Sequence, residues 1–262
     1  MTALDFQGCF VFFLVEMNAM YDHIYVIGDI HGMYYRLQGI LDKLEYGEKD
    51  LLIFLGDYVD RGEYCLKCLD VVYDMVKSGK AVALKGNHER MMEWYFAKHD
   101  IAGAKTGIDE ETEGWLYCGG SNTYDDLKRY YEKNGSIEKY LGFVKELPPV
   151  MSLGNKVFFS HSGFNVKKKM KGEELSEDDY LWNRDGFLGD YDEEAVWYVG
   201  HTPVQYILQE GEEVKPMSLE NNIVMMDTGS YLSNGCISAM DILTNKLYRS
   251  NVAHYKMKKS NF

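Results

Sequence analysis

Apolar residues fall in short unbroken runs that end in glycine, or in a polar residue and then glycine. Residues 24–28 (IYVIG), 51–55 (LLIFL) and 81–84 (AVAL) are each too short for a helix and predict buried strands. Between them, residues 34–44 (YYRLQGILDKL) and 64–76 (YCLKCLDVVYDMV) place apolar side chains three or four apart, the helical period. The alternation predicts a β-α-β-α-β unit, whose right-handed crossovers lay helices over a sheet.

Helical periodicity continues around residues 91–96, 124–131 and 137–144, broken by a polar loop near 103–114, so residues 90–147 read as a helical insertion. Strands are expected again at 156–159, 195–199, 223–226, 236–242 and 246–249, the last two as a hairpin turning at Thr244 and Asn245. A second sheet follows. With four prolines, no low-complexity tract and no fixed repeat, nothing marks a linker. Residues 20–262 are therefore expected to form one α/β domain with a helical cap. The apolar run at residues 9–15 (CFVFFLV) is too short to span a bilayer and has no Lys or Arg before it, so residues 1–19 are expected to be an appendage outside the fold.

The 262 residues are 46% hydrophobic and 26% charged, as in ordinary globular proteins. Twenty-eight Lys and Arg stand against 41 Asp and Glu, and the net charge of −13 has the wrong sign for binding a phosphate backbone. Neither nucleic acid nor membrane is an expected partner, and a monomer is the default. Five cysteines, an odd number without the density of a disulfide scaffold, point to a reducing compartment, the cytoplasm. Cys65 and Cys68 lie inside an expected helix with no second pair, so they read as packed free thiols.

Five expected strands run directly into polar clusters: Gly28-Asp29-Ile30-His31-Gly32, Gly56-Asp57-Tyr58-Val59-Asp60-Arg61-Gly62, Gly86-Asn87-His88-Glu89, Ser160-His161-Ser162-Gly163 and Gly200-His201-Thr202-Pro203. The C-terminal ends of strands are where α/β sheets present ligands. Any one cluster would pass for turn chemistry, but chance does not put imidazole and carboxylate at five successive strand ends. Oxygen and imidazole donors without thiolate suit Mn, Fe or Zn. Two divalent ions are implied, most simply Mn. Asp29 and His31 alternate along an extended segment and can point to one side, Asp57 has two oxygens able to bridge, and Asn87, His161 and His201 can complete the second ion's shell. A hydroxide between ions roughly 3.5 to 4 Å apart is a nucleophile at neutral pH, as phosphoester hydrolysis requires.

In this order the motifs resemble the phosphoprotein phosphatase branch of the calcineurin-like metallophosphoesterases, over residues 24–242. The segment 115–123 (WLYCGGSNT), with Leu147-Pro148, is similar to the small bacterial and phage members. The resemblance implies a four-layer α/β/β/α sandwich of two mixed sheets. It implies one metal on Asp29, His31 and Asp57 and another on Asp57, Asn87, His161 and His201. It makes His88 the general acid, oriented by Asp60, and Arg61 a fork for phosphoryl oxygens. A second clamp is expected at Arg184, in Leu181-Trp182-Asn183-Arg184. Ser162 replaces a common Ala beside His161, a small-for-small exchange, and Asp227-Thr228-Gly229-Ser230 resembles a D-T-G turn that supports the metal loops. Asp60 is telling, because symmetrical dinucleoside tetraphosphatases usually carry Ala there. The implied activity is metal-dependent hydrolysis of phosphoserine or phosphothreonine in proteins by direct in-line attack. Two alternatives are hydrolysis of diadenosine polyphosphates or other phosphorylated small molecules, and a metal-stabilised interaction domain. The latter would leave His88, Asp60 and Arg61 without a role.

Overall fold

In the computed structural model, residues 20–103, 114–191 and 194–250 are described. The expected appendage at 1–19 and most of the expected loop at 103–114 lie outside them. The first half alternates as read: β1 His23–Ile27, α1 Tyr34–Leu44, β2 Asp50–Phe54, α2 Cys65–Lys77, β3 Ala81–Ala83. Three helices follow, α3 Asn87–Lys98, α4 Ser121–Asn134 and α5 Glu138–Glu146, with a short turn Leu116–Gly120, kinked at Gly119, before α4. The second half holds β4 Val150–Leu153, β5 Val157–Ser160, α6 Val166–Met170, α7 Asp185–Asp190, β6 Val196–Val199, β7 Met217–Ser218, β8 Ile223–Met225, β9 Ser238–Asp241 and β10 Lys246–Arg249.

The strands form two mixed five-stranded sheets, ordered β10-β9-β1-β2-β3 and β4-β5-β6-β8-β7. Within the first, β1, β2 and β3 are parallel; within the second, β5, β6 and β8 are parallel. Residue parity decides what each strand packs against, because successive side chains leave opposite faces. Ile24, Val26, Leu51 and Ile53 meet Val157, Phe159, Tyr198 and Val224 between the sheets. Their neighbours Tyr25, Ile27, Leu52 and Phe54 face the helical layer of Leu37, Ile40, Leu69, Val72 and Tyr95. On the far side, Trp197, Val199, Ile223 and Met225 pack against Phe164, Val166 and Phe187. These three apolar seams make the four layers α/β/β/α.

Leu127 of α4 and Tyr140, Phe143 and Val144 of α5 share the apolar cluster of α2 and the first sheet, so the inserted helices thicken that helical layer. Several short elements escape sequence periodicity. β4 is an antiparallel partner of β5, turning at Gly154, which has φ 62°. α6 and α7, of five and six residues, are shorter than two helical turns and show no period. β9 is shorter than the expected 236–242 strand. Cys65, Cys68 and Cys236 are buried and Cys118 is exposed, all as free thiols. No helix among the described residues is long and apolar enough to cross a membrane.

Candidate active site

The parallel strands β1, β2, β3, β5 and β6 each run from their C-terminal ends into one of the five polar clusters. The two sheets thus direct these loops to one buried cluster, in which Asp29, His31, Asp57, Asn87, His88, His161 and His201 are all at most 7% exposed. Close approach between loops requires glycine. A Cβ on Gly86 would stand 2.2 Å from Asp57 Oδ1, and one on Gly200 2.2 Å from Asp29 Oδ1. Eight non-glycine residues among those described have positive φ, and five of them, His31, Asp57, Asp60, Arg61 and His201, belong to this cluster. Backbone in that region costs about 1–3 kcal/mol per residue and persists only where surrounding contacts dictate it. The turn at His31, with φ 47°, also replaces the extended Asp29–His31 segment expected from alternation; the two side chains still converge, His31 Nε2 lying 4.0 Å from Asp29 Oδ2.

Asp57 is the centre. Its Oδ2 lies 3.4 Å from His31 Nε2, and its Oδ1 lies 3.3 Å from His161 Nε2 and accepts the His88 backbone N–H at 3.1 Å. Asn87 Oδ1 lies 2.8 Å from His161 Nε2 and 2.9 Å from His201 Nδ1. Backbone carbonyls set the imidazoles: Val59 O is 3.0 Å from His31 Nδ1, and Leu55 O is 2.9 Å from His161 Nδ1. A carbonyl only accepts, so the proton sits on Nδ1 and Nε2 of both rings faces Asp57, as second-shell contacts orient metal-binding histidines. Asp29 accepts the backbone N–H of His201 at 3.2 Å.

Burial and neighbouring Asp227 push the Asp29 carboxyl well above its ordinary pKa, and burial lowers His31 and His201. Burial opposes a charge on His161, but the Asp57 carboxylate outweighs it and raises that ring to about 10. For His88, burial is likewise outweighed by the carboxylates of Asp57 and Asp60, and its pKa rises. Carboxylates, imidazole nitrogens and an amide oxygen crowded together inside the protein are the donor set of borderline divalent ions. His201 Nε2 is buried with no protein partner. Two groups of donors each fall within 4.8 Å of one another, His31–Asp57–His88 and Asp29–Asp57–His161, with Asp57 common to both. The residues present fit two divalent cations. His88 differs from the other donors in its neighbours: its Nδ1 is 2.7 Å from Asp60 Oδ2, and its Nε2, 3.9 Å from Asp57 Oδ2, is 3.2 Å from the Arg61 guanidinium, whose charge opposes a cation there.

Nine of the ten residues singled out in the sequence come together here. The tenth, Arg184, is exposed at the start of α7, and its Nη1 is 3.4 Å from Thr202 Oγ1, next to His201. It sits at the rim. Four contributors were not assigned roles from sequence. Glu89 accepts backbone N–H groups from Asp57, Tyr58 and Gly86 at 2.8–2.9 Å. Tyr231 lies under the Arg61 guanidinium, 4.0 Å from ring centroid to Cζ, and turns its ring against His31. Trp115 and Thr123 hydrogen-bond Asp60. Glu89 and the segment 115–123 stood within quoted motifs, whereas nothing in the spacing pointed to Tyr231.

Residues 23–226 match the family model described as calcineurin-like phosphoesterase. Serine/threonine-protein phosphatase 2 of Escherichia coli is 32% identical over 166 residues, covering 62% of this chain and 68% of that protein. The asymmetrical bis(5'-nucleosyl)-tetraphosphatase PrpE of Oceanobacillus iheyensis is 26% identical over 235 residues, covering 80% of this chain and 84% of that protein. A solved serine/threonine phosphatase from Saccharomyces cerevisiae superposes with a TM-score of 0.56 at 14% identity, over 84% of this chain and 73% of that one, a likeness of fold. With the match spanning the motif-bearing strands of both sheets, the chain belongs to the calcineurin-like phosphoesterase family.

Proposed function

We propose that this phosphoesterase removes phosphate from serine or threonine side chains of proteins in one in-line displacement, with Asp29, His31 and Asp57 holding one divalent ion and Asp57, Asn87, His161 and His201 the other. When bound, the ions supply charge neutralisation for the phosphoryl group and lower the pKa of water so that a nucleophile is available at neutral pH. Arg61, already stacked on Tyr231, turns its planar fork to the phosphoryl oxygens. As the P–O bond to the leaving group breaks, His88 gives its Nε2 proton to the departing oxygen, while its Nδ1–H remains on Asp60. Asp60 does not take the proton; it holds the ring in the right tautomer. Arg184 is a second contact for substrate at the rim.

The observation that carries this choice of substrate is the Asp60–His88 pair, 2.7 Å apart and buried. A seryl or threonyl alkoxide is a basic leaving group that needs a proton as it departs. A nucleotide leaves as a phosphate anion and needs far less help. Hydrolysis of dinucleoside polyphosphates is the second reading, favoured by the similarity to the PrpE relative over 80% of this chain. The test is a panel of phosphoserine peptide, phosphotyrosine peptide, diadenosine tetraphosphate and p-nitrophenyl phosphate assayed with Mn added to stripped protein. The highest kcat/KM is expected on the phosphoserine peptide; diadenosine tetraphosphate turned over faster than any phosphopeptide would overturn the assignment.

A further inference from the structure

We propose that Trp115 and Thr123 are positioning residues for the leaving-group step, acting through Asp60 on His88; this rests on the reading of His88 as general acid. The Asp60 carboxylate is fully buried and its acceptor sites are taken from three directions. Oδ2 accepts the Trp115 indole N–H at 2.8 Å and faces His88 Nδ1 at 2.7 Å, while Oδ1 accepts the Thr123 hydroxyl at 2.5 Å. Thr123 Oγ1 also accepts the backbone N–H of Asp60 at 2.9 Å, so one hydroxyl fixes both the main chain and the carboxylate of a residue at φ 70°.

Trp115 and Thr123 are the two ends of the 115–123 segment, and the kink between them at Gly119, where φ is 108°, brings both to the same carboxylate. The middle of the segment grips the next residues: Gly119 O accepts the Arg61 N–H at 3.0 Å, and Asn122 Nδ2 donates to the carbonyls of Arg61 and Gly62 at 3.1 and 3.0 Å. The role goes beyond packing. Burying the Trp115 ring against Tyr95 and Phe96 would be met as well by a phenyl ring, yet the indole N–H is aimed at the oxygen that orients the acid. With two donors on Oδ2 the carboxylate plane is set, and with it the direction in which His88 presents Nε2. Without them the carboxylate can rotate and the proton-donating nitrogen leaves its line to the departing oxygen.

The test uses the full chain loaded with Mn, comparing a phosphoserine peptide, whose alkoxide needs the proton, with p-nitrophenyl phosphate, whose aryl oxide needs little. Thr123→Val deletes the hydroxyl at nearly constant shape, Thr123→Ser restores it, and Trp115→Phe keeps the ring and removes the N–H. Thr123→Val and Trp115→Phe are expected to lose about ten-fold or more in kcat/KM on the peptide and under about three-fold on the aryl ester, part of the 10²- to 10⁴-fold range of general acid catalysis. Metal content should match wild type, and Thr123→Ser should recover the peptide activity. Combined with Asp60→Asn, Thr123→Val should add no further discrimination between the two substrates. Equal loss on both substrates, or failure of Thr123→Ser to rescue, would mean a merely structural role and would overturn the proposal. His88→Asn is run alongside. If it discriminates between the leaving groups and Thr123→Val does not, this inference alone falls; if His88→Asn does not discriminate, the reading of His88 falls and this inference with it.

Discussion

Glu89 Oε2 accepts the backbone N–H of Asp57 at 2.8 Å, and Oε1 accepts that of Tyr58 at the same distance, so one side chain from the first turn of α3 closes the loop that carries the central carboxylate. It also takes the Gly86 N–H at 2.9 Å, and burial pushes its carboxyl up to about 7. Glu89→Gln would place an amide NH2 against backbone donors. Because leaving buried donors without an acceptor costs about 1–3 kcal/mol, a loss of stability in that range is expected, with weaker metal retention, although Glu89 is not itself placed as a ligand. Urea unfolding and metal analysis of one preparation check both. A variant as stable and as metal-loaded as wild type would remove Glu89 from the scaffold of the site.

The convergence of nine residues was legible because each motif follows directly on an apolar run, and in parallel strands all such ends lie at one edge. Layer assignment was not. Tyr25 and Val26 are both apolar, and only the tertiary packing shows which one faces the second sheet. Trp115 and Thr123 reach Asp60 across sequence separations of 55 and 63 residues, and no local pattern encodes that meeting. Tyr231 was one position beyond the recognised Asp227–Ser230 turn, and its stacking on Arg61 depends on a tertiary approach. Arg184 shows the opposite limit: a looser motif gave its position in the chain, while its exposed rim placement comes from the Ser162–Asn183 and Arg184–Thr202 contacts.

Ligand and acid should separate cleanly. His161 Nε2 faces both Asp57 Oδ1 and Asn87 Oδ1, so His161→Asn is expected to lose bound Mn and to lower activity on every substrate together. His88→Asn should keep the metal, since its nitrogens are directed to Asp60 and Arg61. Metal analysis after gel filtration distinguishes the two. Loss of metal in His88→Asn would make His88 a ligand.

Adding Mn to stripped protein should raise the unfolding temperature, because ions that bind the folded chain alone stabilise it by mass action, about 2.7 kcal/mol at a hundred-fold excess over Kd for a single site. The source of the effect is the crowding of Asp29, Asp57 and Asp227, which burial and mutual repulsion otherwise drive toward protonation at Asp29 and Asp227. Asp57→Asn should lower the Mn-induced shift more than Asp29→Asn, since Asp57 is common to both donor groups. Calorimetric scans over a Mn series decide it; equal shifts in both variants would argue against sharing.

The two arginines are expected to differ. Arg61 is held by Tyr231 and rests 3.2 Å from His88, so Arg61→Ala should weaken inhibition by inorganic phosphate about ten-fold or more, the scale of a charge-assisted hydrogen bond, without loss of metal. Arg184→Ala should weaken it less, from an exposed position. Inhibition constants in both variants test the ranking, and unchanged inhibition in Arg61→Ala would take Arg61 out of the phosphate site.

Asp179 anchors the loop that leads to Arg184, and its effect should depend on pH. Burial alone would raise its carboxyl, but the Lys168 ammonium at 2.8 Å, the Ser176 hydroxyl and N–H at 2.7 and 2.8 Å and the Asn165 amide at 3.1 Å outweigh that and hold it at about 2. A carboxyl whose folded pKa is depressed binds fewer protons folded than unfolded across the interval between the two values. Its stabilising contribution is therefore complete above the ordinary 3.8 and disappears as pH falls through about 2. The contribution is about 1 to 2 kcal/mol once screening at the half-exposed Lys168 is allowed for. Asp179→Asn should be less stable than wild type by that amount from pH 7 to pH 5, with the gap closing below pH 4. Because the Asp179 carboxylate also ties Asn165 and Ser176 to this loop, the same variant should also lower turnover at pH 7 by loosening the approach to Arg184, while metal content stays constant. Urea unfolding at pH 7, 5, 4 and 3 reads the first effect. A stability gap as large at pH 3 as at pH 7 would show that shape, and not the charge on Asp179, holds the loop.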